Sequence, residues 1–105
     1  MFMRLCSIED IPSGEMRQFD MMDEEILVLN LEDKFYCLAA RCSHAGAPLA
    51  EGKLDGDMVV CPWHHSRFRL ADGSVVDGPA RDPLRVFPIL VKEGQIMVDL
   101  NEEDD

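Results

Sequence analysis

An all-β chain of short antiparallel strands is what this sequence predicts. Three observations lead there: short apolar segments alternate with turn signals, acidic residues followed by glycine punctuate the second half, and no long segment keeps a helical period. Near the start, Cys6 sits in a short apolar stretch, and Ile8 to Ser13 predicts a brief helical turn that Pro12 limits. Ile26 to Leu31 and Phe35 to Ala40 are rich in aliphatic and aromatic residues and read as a strand pair, with Glu32-Asp33-Lys34 as the hairpin turn between them. Pro48 to Glu51 predicts a second helical turn. Met58-Val59-Val60, Arg67 to Leu70, Val75-Val76, Val86 to Val91 and Gln95 to Leu100 then read as strands, separated by Asp55-Gly56, Asp72-Gly73, Asp77-Gly78 and Glu93-Gly94. The closing Asn101 to Asp105 has no apolar residue to bury and is expected to be an acidic disordered tail. With no internal repeat and no linker, residues 1–100 read as one domain.

Length and charge narrow the function classes. A chain of 105 residues can bury one modest core without a disulfide framework, and it leaves no room for a second catalytic domain. No apolar run approaches a membrane span, and Met1-Phe2-Met3-Arg4 lacks a secretory apolar region, so a cytoplasmic protein is expected. Acidic residues outnumber basic ones by 21 to 10, for a formal charge of -11, which disfavours nucleic acid as a partner. Such a field either steers the protein toward a basic docking surface or simply keeps it soluble. The four cysteines of a cytosolic chain read as metal ligands or core thiols rather than disulfides. Cys6 and Cys37 lie in apolar stretches with no histidine at ligand spacing and are expected to pack in the core.

The other two cysteines carry the chemistry. Cys42-Ser43-His44 and Cys61-Pro62-Trp63-His64, separated by residues 45–60, put one thiol and one imidazole on each of two turn-rich loops. Thiolate with imidazole suits zinc, copper or iron and not the hard cations magnesium and calcium. A zinc finger of two cysteines and two histidines takes both cysteines from one knuckle, whereas here each loop supplies one of each. If each loop gives one ligand to each of two metals, the cysteines can bind one iron and the histidines the other across a sulfide pair.

From Cys6 to Leu100 the sequence resembles the Rieske-type [2Fe-2S] proteins, and more closely their small soluble ferredoxins. The C-x-H and C-P-x-H motifs at Cys42 and Cys61 carry the resemblance, supported by Cys6 to Pro12, Asp77-Gly78-Pro79-Ala80, Phe87-Pro88-Ile89 and Glu93-Gly94-Gln95. It implies a small antiparallel β-sandwich or barrel with a cluster-binding subdomain, about residues 40–80, formed by two loops. It further implies one [2Fe-2S] cluster, with Cys42 and Cys61 on the inner iron and His44 and His64 on the outer. Two ferric ions, two sulfides, two thiolates and two neutral imidazoles sum to zero charge, so histidine ligation raises the potential above that of a four-thiolate cluster. Ser66 is expected to donate to a bridging sulfide, and Pro79 to lie in a loop covering the cluster.

Departures from the family pattern refine the expectation. Ala47 and Trp63 stand where respiratory Rieske proteins carry a disulfide, and Phe68 replaces a tyrosine whose hydroxyl would reach a ligand sulfur. Losing that hydrogen bond destabilises the reduced cluster and points to the low end of the Rieske range, which extends down to roughly -150 mV. His65 stands where glycine is common, as expected of a residue that tolerates positive φ. Trp63 reads as a shield for the cluster, as part of a docking patch or, in preference to both, as a buried aromatic anchor, and Arg67 and Arg69 read as solvated surface residues. The resemblance implies a monomeric one-electron carrier between a flavin-dependent reductase and a terminal Rieske non-haem iron oxygenase, with no substrate chemistry of its own. A small subunit of a nitrite reductase complex and a structural zinc or redox-sensing module are the alternatives.

Overall fold

The computed structural model describes residues 1–43 and 46–100. Ten short strands run through them: β1 (Met3–Ser7), β2 (Met16–Met21), β3 (Glu24–Leu31), β4 (Lys34–Ala39), β5 (Lys53–Asp55), β6 (Met58–Val60), β7 (Arg67–Arg69), β8 (Val75–Asp77), β9 (Ile89–Lys92) and β10 (Gln95–Val98). They form three antiparallel sheets, in the orders β1-β10-β9, β2-β3-β4 and β5-β6-β7-β8. The two expected helical turns are single turns of 3₁₀ helix at Ile8–Asp10 and Leu49–Glu51.

The middle sheet organises the packing. Along a strand, side chains alternate between faces, and in β3 both faces are covered, so Ile26 through Asn30 are all buried. Leu27 and Leu29 join Leu38, Val59, Phe68 and Leu70 in one core, while Ile26 and Val28 join Cys37, Phe87, Ile96 and Val98 in the other. Strand β4 divides likewise, sending Leu38 to the first core and Cys37 to the second. The first core underlies the Cys42 and Cys61 loops; the second is closed by the β1-β10-β9 sheet.

Two-residue turns join four of the hairpins, and three of them place positive φ at both positions: Met22-Asp23 (54° and 63°), Glu32-Asp33 (52° and 71°) and Glu93-Gly94 (53° and 76°). This is the backbone signature of the type I′ turn, whose twist matches that of the strands it joins. Asp33 is also held locally, its N–H donating to Oδ1 of buried Asn30 at 2.7 Å.

The strand expected over Val86 to Val91 is divided between two sheets. Ala39 N–H donates to the Arg85 carbonyl and Phe87 N–H to that of Cys37, which lays residues 85–87 beside β4. Pro88 has no N–H to continue that ladder, and from Ile89 the chain pairs with β10 instead. The tail from Asn101 to Asp105 lies outside the described residues.

Candidate metal centre

The two cysteine loops close by the same hydrogen bonds. In the first, between β4 and β5, Cys42 N–H donates to the Ala47 carbonyl (2.9 Å), and Gly46 N–H donates to the Cys42 carbonyl (2.9 Å). In the second, between β6 and β7, Cys61 N–H donates to the Ser66 carbonyl (2.8 Å), and His65 N–H donates to the Cys61 carbonyl (3.2 Å). The fourth residue after each cysteine turns into the left-handed region, with φ 73° at Gly46 and 62° at His65. His65 therefore occupies in the second loop the place that glycine fills in the first, as the sequence predicts. Replacing His65 with glycine should leave the visible spectrum of the cluster intact. A β-branched valine there should cost about 1–3 kcal/mol, because its side chain crowds a left-handed backbone; equal denaturation midpoints for His65→Gly and His65→Val would refute this.

Burial separates the donors. Cys42 and Cys61 are 3% and 1% exposed and belong to the same core as Leu49, Val59 and Phe68, while His64 is exposed. The second loop thus turns its thiol inward and its imidazole outward. His44, the partner expected from the first loop, lies outside the described residues. Among the described residues no three His, Cys, Asp or Glu side chains form a ready-made metal site.

Trp63 corrects the expectation of a buried anchor: it is 54% exposed. The interior of its loop is taken up by Cys61 and Ser66, both buried, which leaves residues 63–65 on the outer arch. Cys6 and Cys37 do pack in the second core. Burial pushes the Cys37 thiol up to about 12, so it stays a neutral thiol at physiological pH.

A third loop, following β8, braces the other two. Ser66 is fully buried, and its Oγ accepts the Ala80 N–H at 3.1 Å, which leaves its own hydroxyl proton to donate elsewhere. Ser43 Oγ donates to the Asp82 carbonyl at 2.5 Å. Gly78 enters this loop at φ 98°, so close to Ser66 that a Cβ on it would stand 2.5 Å from the Ser66 Cα. Pro79, expected to cover the cluster, sits exposed in this brace.

Residues outside the motifs hold the frame. Arg41 donates to both carboxylate oxygens of Glu25 (2.8 and 3.2 Å) and to the Gly46 carbonyl (3.1 Å), tying the first loop to β3. Arg67 and Arg69, expected as solvated residues, pair with Asp55 and Asp57 across the β5-β6-β7 sheet. Phe68 between them is fully buried. Nothing in the sequence marks Arg41 or Asp82 as members of the site, because Arg41 reaches a main-chain carbonyl and a surface carboxylate, and Asp82 takes part only through its own main-chain carbonyl.

Two buried thiols at equivalent positions of matched turns, an outward imidazole and a buried hydroxyl with a free proton form a donor set that suits a cluster held by soft ligands inside and imidazole outside.

Comparison with known proteins points the same way. Residues 1–88 match the Rieske [2Fe-2S] domain. The chain is 39% identical over 98 residues to the 3-phenylpropionate/cinnamic acid dioxygenase ferredoxin subunit of Escherichia coli K12, covering 92% of each. The fold is similar to that of a chain in the complex of reduced oxygenase and oxidized ferredoxin of carbazole 1,9a-dioxygenase (TM-score 0.91, 31% identity, 99% of this chain and 97% of that one). It is also similar to the ferredoxin of carbazole 1,9a-dioxygenase from Nocardioides aromaticivorans IC177 (TM-score 0.88, 27% identity, 93% and 96% covered).

Proposed function

The chain belongs to the Rieske [2Fe-2S] domain family, and on that premise we propose that it is the one-electron carrier of a multicomponent oxygenase, taking electrons from a flavin-dependent reductase and delivering them to a terminal oxygenase. The observation that carries this reading is the pair of identically closed loops, each presenting one buried cysteine to a common core. Cys42, Cys61, His44 and His64 would hold the [2Fe-2S] cluster, which when bound supplies a site that accepts and releases a single electron.

The rest of the chain sets how that electron is held. Ser66, whose hydroxyl oxygen already accepts from Ala80, has one proton to offer a sulfur acceptor. Phe68 offers none, and Ala47 and Trp63 cannot form the disulfide of high-potential relatives. Fewer donors to the cluster favour its oxidised form, so the potential belongs at the low end of the Rieske range. No described helix is long and apolar enough to cross a membrane, and we read the carrier as monomeric and cytoplasmic, in keeping with a single domain of this size.

Relatives named as dioxygenase ferredoxin subunits, and a 31% identical chain seen in a complex of oxygenase and ferredoxin, support an oxygenase as the acceptor. With a formal charge of -11, the carrier should approach a basic face. Iron and acid-labile sulfide in equal amounts are expected from anaerobically purified protein, and the reduced form should transfer its electron to the oxygenase in stopped flow. That rate should fall on the order of tenfold as salt shrinks the Debye length from about 10 Å at 0.1 M to about 3 Å at 1 M. Stoichiometric zinc, or a reduced protein inert toward the oxygenase, would overturn the proposal.

A further inference from the structure

The loop that braces both cysteine turns also carries a charge opposite in sign to the net charge of the chain. Arg81 lies between the two tethered residues, Ala80, whose N–H is bound to Ser66, and Asp82, whose carbonyl is bound to Ser43. The backbone on either side of it is therefore fixed to a different ligand loop. Its side chain is exposed and forms no ion pair among the described residues, whereas Arg41, Arg67 and Arg69 each pair with a carboxylate. On a chain with twice as many acidic as basic residues, this places an unneutralised guanidinium at a rigid point beside the cluster-bearing turns, next to exposed Pro79.

We propose that Arg81 fixes the orientation in which the carrier docks on the terminal oxygenase, by pairing with a carboxylate set within that partner's otherwise basic face. This inference rests on the proposed carrier function. A uniformly acidic surface meeting a uniformly basic one gains attraction but no register, since many rotations satisfy it equally. One inverted charge on each side removes that degeneracy, because misrotation sets like charges against one another. A guanidinium is well matched to this role, since its fork is planar, it stays charged at any physiological pH, and it meets a carboxylate with two parallel hydrogen bonds. Bracing from both sides keeps the contact in constant relation to Cys42 and Cys61, which is what register requires.

The test compares three variants of the holoprotein, each first checked for an unchanged visible spectrum and reduction potential. Arg81→Glu and Lys92→Glu alter the net charge equally, but Lys92 lies exposed at the end of β9, in the sheet that closes the second core. Arg81→Gln removes the charge without reversing it. Stopped-flow oxidation of each dithionite-reduced protein by the purified oxygenase of the same system, at low salt, should slow about tenfold or more for Arg81→Glu. It should slow less for Arg81→Gln and least for Lys92→Glu. Equal slowing by Arg81→Glu and Lys92→Glu would show that only net charge matters and would overturn the role of Arg81 while leaving the carrier function intact. A wild-type protein that does not reduce the oxygenase at all would overturn both.

Discussion

Cys61→Ser should yield a colourless protein, with iron and sulfide reduced to trace amounts, whereas Cys37→Ser should retain the full chromophore. Both cysteines are buried, so burial alone does not distinguish them. Their surroundings do. Cys37 lies in a strand, in the core remote from the ligand loops, and burial holds its thiol in the neutral form with a pKa pushed up to about 12. Cys61 lies in a turn at the position matched by Cys42 in the other loop, packed in the core those loops share. A thiolate ligand cannot be replaced by a serine hydroxyl, which stays protonated at neutral pH and is a poor donor to a soft metal. At Cys37 the same change only buries a hydroxyl, costing about 1–3 kcal/mol in stability. Metal analysis and denaturation of the two variants check this directly. A coloured Cys61→Ser protein, or a colourless Cys37→Ser one, would reverse the assignment.

The second large effect is expected at Gly78. Alanine there should destabilise the protein by about 2 kcal/mol or more, combining an unfavourable left-handed backbone with a steric clash. The added methyl group would press on the Ser66 Cα at 2.5 Å, a backbone atom of the second ligand loop that cannot swing aside like a side-chain tip. Either the brace lifts or the ligand loop shifts; in both cases the Ala80 to Ser66 hydrogen bond is strained or lost. The holoprotein should bleach several-fold faster than wild type in air or in the presence of a chelator. Gly46→Ala supplies the contrast. It too has positive φ, at 73°, but among the described residues its Cβ would meet nothing within 4 Å. Its cost should be confined to about 1–2 kcal/mol of backbone strain, with cluster lifetime near normal. Equal lifetimes for both variants would mean that the third loop does not secure the centre.

Much of this molecule was legible from residue order. Runs rich in aliphatic and aromatic residues identified β3 and β4, and the Glu32-Asp33 turn between them was readable because two acidic residues interrupt two apolar runs. The neighbouring β2 escaped notice. Met16 to Met21 mixes charged and apolar residues on a half-buried edge, and its turn, Met22-Asp23, takes positive φ at both positions without a glycine to announce it. Val86 to Val91 read as one strand because hydrophobicity is continuous there; that Pro88 hands the chain from one sheet to another depends on partners far away in sequence.

The candidate site was legible for a different reason. Ligand chemistry is local, so spacing alone was enough to nominate Cys42, His44, Cys61 and His64, and the need for positive φ at His65 was visible as a substitution that only a few residues tolerate. What holds the ligands in place was not visible. Ser43 with Asp82, Ser66 with Ala80, and Arg41 with Gly46 are hydrogen bonds to main-chain groups, which leave no trace in residue type. Residue order did not decide between a docking patch and a buried anchor for Trp63, because an aromatic residue between proline and histidine looks the same whether its loop arches inward or outward.

The brace between the loops has a meaning beyond stability. A protein that handles single electrons is slowed by whatever must move when its charge changes by one. Ligand turns closed by the same pair of main-chain hydrogen bonds, and linked through one shared loop by Ser43 and Ser66, leave the chain little freedom to relax between its two oxidation states. Such a frame is already arranged for both states. The barrier to transfer is thereby left mainly to the surrounding water, and docking, by excluding that water, lowers it.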